Sequence, residues 1–76
     1  MRRFEYLVVV QENDRIVTAN GHWQGDVARG ETGDRESCPS LLAYLEEAGA
    51  QGWDLVAIDP EDKGSAVLYF KRERSG

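Results

Sequence analysis

The first apolar run spans residues 4–11, Phe-Glu-Tyr-Leu-Val-Val-Val-Gln, and is rich in aromatic and β-branched side chains. It predicts a strand with Phe4, Tyr6, Val8 and Val10 on one side and Leu7 and Val9 on the other. Glu12-Asn13-Asp14 reads as a turn, because Asn and Asp tolerate positive φ. Residues 15–19 form a second strand that ends at Asn20-Gly21. That dipeptide is a strong hairpin signal, since a type I′ turn needs positive φ at both central positions. His22-Trp23-Gln24 then pair back as a short strand. No period survives from Gly25 to Ser37, so the stretch from about 21 to 37 reads as one long, solvated loop, and loops of that length tend to be functional or disordered.

Helical spacing follows. Leu41, Leu42, Leu45 and Ala48 fall on one stripe, with Glu46 and Glu47 on the wet side. Ser37 is placed to cap the helix, and Pro39 to stand in its first turn. Gly52 supplies a left-handed residue for a Schellman ending that carries Trp53 back against Ala48. Gly49 costs about 1 kcal/mol relative to alanine inside a helix, which suggests a close helix–sheet approach there. Residues 53–58 and 66–72 form the last two strands, joined by a turn around Pro60. The order β-β-α-β-β predicts an α+β fold: a single domain over 1–76, with an antiparallel sheet of about four strands and one helix on one face.

Composition narrows the picture. At 76 residues, with 41% apolar and 30% charged, the chain is a small globular domain. No apolar run approaches the roughly 20 residues of a membrane span, and no signal-peptide pattern opens the sequence, so a cytoplasmic location is expected. Cys38 is the one cysteine and His22 the one histidine. No disulfide can therefore form within the chain, and no metal-ligand spacing is present. No cofactor is expected. The formal net charge is −5, which repels nucleic acid on average.

Four groups are candidates for function. Cys38 near a helix start would have its thiolate favoured by the dipole, but no base is spaced to activate it, and a small buried side chain is the plainer reading. His22 and Trp23 with Asp26 can frame a binding cleft in the loop, or Trp23 can simply cover the sheet edge. Arg2, Arg3, Lys71, Arg72 and Arg74 converge if the first and last strands pair antiparallel. Beside Phe4 and Tyr69 they could stack on single-stranded nucleic acid, or they could merely protect edge strands. The fourth group is apolar. A sheet with one wet side should alternate polar and apolar residues, yet the strands carry apolar side chains on both faces. One helix covers one face, so the other is expected to be buried by self-association, most simply as a two-fold dimer, or by a partner protein. Leu7, Val9, Val56 and Ile58 are assigned to that uncovered face.

Three segments together resemble a known family: the opening Phe4-Glu5-Tyr6-x-Val8-Val9, the junction Gly49-Ala50-x-Gly52-Trp53-Asp54-Leu55-Val56, and the ending Tyr69-Phe70-Lys71-Arg72. The pattern is similar to the small bacterial domain of unknown function 4177, with Asp54 where that family usually has Glu and with a longer stretch between residues 20 and 37. The resemblance implies a helix on an antiparallel sheet and no established activity. The expected function is a non-catalytic, homo-oligomeric scaffold or interaction module. The alternatives are a ligand- or partner-binding domain that uses the 21–37 loop, and a nucleic-acid accessory that uses the basic ends.

Overall fold

The computed structural model describes residues 1–74. Its elements are β1 (Phe4–Glu12), β2 (Arg15–Ala19), β3 (His22–Trp23), a single 3₁₀ turn (Arg35–Ser37), α1 (Leu41–Ala50), β4 (Asp54–Pro60) and β5 (Ser65–Glu73). The strands form one antiparallel sheet in the order β3-β2-β1-β5-β4. This is the expected α+β arrangement, with the short return strand at Trp23 counted as a fifth.

Both hairpin turns follow from residue chemistry. Asn13 and Asp14 adopt φ of 49° and 63°, and Asn20 and Gly21 adopt 50° and 83°, the paired left-handed conformations of a type I′ connection. Asn20 is fixed further by its side-chain carbonyl, which accepts the Val8 N–H at 2.8 Å.

The helix ends as expected and begins later than expected. Trp53 N–H donates to the Ala48 carbonyl, and Gly52 N–H to that of Gly49, each at 3.0 Å. Gly52 has φ of 87°. These are the two bonds of a Schellman ending. At the start the cap is Ser40 and not Ser37: the Ser40 hydroxyl accepts the Ala43 N–H at 3.2 Å. Pro39 cannot enter the helix because its carbonyl is engaged in an extended stretch, accepting the Ile16 N–H at 2.9 Å.

Cross-strand partners share a face, so the register decides what the helix covers. β1 and β5 pair Leu7 with Phe70 and Val9 with Leu68, and Gln11 with Ala66. Val9, Ile16, Ala48, Ala66, Leu68 and Phe70 form the buried core, with Leu7, Ala19, Leu41, Tyr44, Leu45 and Trp53 packed against it. Two expectations are corrected here. Leu7 and Val9 lie under the helix and not on the uncovered face; Val9 has no exposure at all. On the helix, Leu42 points to solvent at 67% exposure, and Tyr44 takes its place with a ring tilted against Phe70 at 6.5 Å between centroids. Gly49 also departs from expectation. It is exposed, and a Cβ there would meet nothing within 4 Å, so it permits no close approach.

The core stops at β5. No residue of β4 belongs to it, and all seven are exposed.

Candidate functional site

The long loop is tied down by its own polar groups. The Asp34 carboxylate accepts the backbone N–H groups of Gly30 at 2.9 Å and Arg35 at 2.7 Å. The Gly30 bond is the leading reason its pKa lies below the ordinary carboxylate value, and Arg35 adds to it. Ser37 Oγ donates to the Asp34 carbonyl at 2.6 Å and accepts the Val27 N–H at 3.0 Å. Arg35 reaches Glu12 on β1 at 2.7 Å. Gly25 passes so close that a Cβ would lie 2.5 Å from Ser37 Oγ and 2.8 Å from Trp23 Nε1. The long, solvated loop read from composition is held by these bonds as a strap. Asp34 and Gly30, an acid and a glycine of that composition, are among the groups that hold it.

His22, Trp23 and Asp26 do not form a cleft. His22 pairs with Ala19 and Trp23 with Thr18, and successive residues of a strand point to opposite faces. The Trp23 indole N–H donates to the Val27 carbonyl at 2.8 Å, and the Arg29 guanidinium lies 5.2 Å from the ring centroid. Trp23 therefore anchors the strap, while His22 and Asp26 are exposed.

The basic group is split by the pleat. Antiparallel pairing of β1 with β5 does bring the two ends together, and Arg2, Arg3 and Arg74 line an open depression with Met1 and Glu73. Lys71 lies over the Phe4 ring at 4.8 Å. Arg2 is bound to Glu73 at 2.6 Å. Arg72 belongs to the other face: its guanidinium stacks on Trp53 at 4.2 Å, pairs with Glu5 at 2.9 Å and donates to the Gln51 carbonyl at 2.8 Å. It fastens the helix end to the sheet. Acidic residues also interleave with the cations of the opposite face, since Phe4 pairs with Glu73 and Lys71 with Asp54.

Cys38 is 2% exposed and precedes the Ser40 cap by two residues. Burial first and the Asp34 carboxylate second push its thiol pKa up. That is the reverse of what a nucleophile or metal ligand at neutral pH requires. Among the described residues no group of three His, Cys, Asp or Glu side chains is placed to hold a metal ion, and no helix is long and apolar enough to cross a membrane.

What remains is apolar surface, in two parts. On the face away from the helix, Tyr6, Val8 and Tyr69 are exposed at 64%, 36% and 37% on the neighbouring strands β1 and β5. On β4, Leu55, Val56 and Ile58 are exposed at 42%, 50% and 58%. Ile58 pairs with Leu68 and Leu55 with Phe70, so both lie on the helix side, beyond the helix's reach. The expectation that Ile58 occupies the face opposite the helix is corrected by this register. Val56 sits at a register shift between Leu55 and Ala57. Tyr6 and Leu55 were not singled out from the sequence, and Tyr69 was named only beside the basic group, although apolar residues on both sides of residues 4–10 and 66–70 carried the signal. Comparison with protein-family models, with curated proteins and with solved structures found no match to this chain.

Proposed function

We propose that the chain is a non-catalytic interaction module that works in the cytoplasm as a homo-oligomer, most simply a two-fold dimer. The observation that carries this reading is the bare apolar row of Leu55, Val56 and Ile58 on a strand whose seven residues are all exposed. Apolar rows of this kind on sheets mark association surfaces. Several titratable groups favour the same reading, because they are engaged in holding the fold: Asp34 and Arg35 in the strap, Arg72 and Glu5 at the helix end. Trp23 supports a loop-borne ligand site less well, since its indole N–H already donates to Val27. The likeness of the Gly49–Val56 junction to domain of unknown function 4177 is part of this reading and brings no activity with it.

Light scattering across a concentration series, with and without a metal chelator, tests the proposal. A mass above that of one chain, unaffected by chelation, supports it. A single-chain mass at every concentration refutes it.

A further inference from the structure

Resting on the reading of self-association, we infer where it occurs: two copies join edge to edge through β4, antiparallel about a two-fold axis between Val56 and Ala57, and their two five-stranded sheets become one continuous sheet.

The fold offers one place for this. At the far side of the sheet the outer edge of β2 is already occupied. Trp23 and His22 pair with it, Gln24 N–H donates to the Val17 carbonyl at 2.9 Å, Ile16 N–H donates to the Pro39 carbonyl at 2.9 Å, and Arg15 bridges to Ser40. β4 pairs only with β5, so among the described residues its outer side is the long free edge of the sheet. An unpaired row of N–H and C=O groups is a template for strand addition. One such edge per molecule closes the assembly at two copies and does not propagate a fibre.

The sequence of β4 is complementary to itself in this arrangement. Cross-strand partners share a face, so Leu55, on the helix side, stands opposite the second copy's Ile58, and Asp54, on the other side with Lys71, stands opposite its Asp59. Lys71, the β5 partner of Asp54, lies beside that pair of carboxylates and partly offsets their repulsion. The ends match as well. One end of β4 neighbours Lys71, through its pairing with Asp54, and Arg72, stacked on Trp53. The other end runs into Asp59-Pro60-Glu61-Asp62. Antiparallel pairing brings Asp59, Glu61 and Asp62 of each copy towards Lys71 of the other, which favours that direction. Leu55 and Ile58, beyond the helix on its own side of the sheet, then meet their counterparts and extend the core across the axis. Pro60 lies at the strand terminus, where its missing N–H removes only an end bond.

Val56→Lys and Ile58→Lys test the edge. Both side chains are at least half exposed in the single chain, so the fold survives and circular dichroism confirms it. Tyr6→Lys, on the open face, is the comparison. The proposal expects the mass to fall to one chain in the β4 variants and to stay that of a dimer in Tyr6→Lys. It also expects the double variant Leu55→Cys, Ile58→Cys to give a covalent dimer under mild oxidation, with the buried Cys38 adding no background. A dimer broken by Tyr6→Lys and untouched by Val56→Lys overturns the edge while self-association stands. Absence of the covalent dimer overturns the register. A wild-type chain that is single at every concentration overturns the underlying reading as well.

Discussion

Two glycines three residues apart should respond to alanine with opposite signs. Gly49 lies inside α1 with ordinary helical φ, exposed, and with open space where a Cβ would go. Alanine there removes the backbone-entropy penalty of glycine without a clash, so Gly49→Ala should stabilise the fold by about 1 kcal/mol. In a domain of this size that raises the melting temperature by roughly 4–8 °C. Gly52 also has open space around it, but its φ of 87° is the left-handed conformation that completes the Schellman ending. An L side chain there costs about 1–2 kcal/mol, so Gly52→Ala should melt lower by a comparable interval. Thermal denaturation followed at 222 nm, at one fixed chain concentration, reads both. If Gly49→Ala melts no higher than the parent, the helix face at Gly49 is not open to solvent, and the account of the helix as a one-sided cover is wrong.

Other consequences are as direct. Cys38 should react with a thiol reagent only on unfolding, because burial both shields it and raises its pKa; rapid modification of the native protein would contradict this. The Asp34 carboxyl is held below its ordinary value of 3.8, so its contribution to loop order is complete above that pH and is lost as the pH falls through the lower, folded-state value. The Gly30 and Arg35 amide resonances should therefore titrate together with a midpoint below 3.8, and in Asp34→Asn they should not titrate. Arg72→Ala should destabilise by about 1.5–3 kcal/mol, through the lost stack on Trp53 and the charge-assisted bonds to Glu5 and Gln51. Arg74→Ala should stay within about 0.5 kcal/mol; equal effects in chemical denaturation would mean that the basic residues act as one patch after all.

Local chemistry made the turns and the helix ending legible in the sequence. Asn20-Gly21, Asn13-Asp14 and Gly52-Trp53 each demand a backbone conformation that few residues accept, and each adopts it. Faces were harder. In β1 both sides are apolar, so the alternation at Leu7 and Val9 gives no direction, and only pairing with Phe70 and Leu68 places them beneath α1. The reach of the helix was likewise invisible. Ten residues cover β2, β1 and β5 and leave β4 bare, a matter of packing geometry that periodicity does not encode. Whether the 21–37 loop is ordered was not legible for a similar reason. Glycines and acids signal a loop, but whether Asp34 finds Gly30, or Ser37 finds Val27, depends on a path fixed only by the folded chain.

Amide hydrogen exchange along β4, measured at low and high chain concentration, goes most directly to the central claim. If a second copy seals the free edge, the outward N–H groups among residues 54–59 gain protection as concentration rises, while the already paired N–H groups of β1 and β2 change little. Exchange at Leu55–Ile58 that stays fast and independent of concentration would mean that the edge remains open to solvent, and that β4 is not where this module associates.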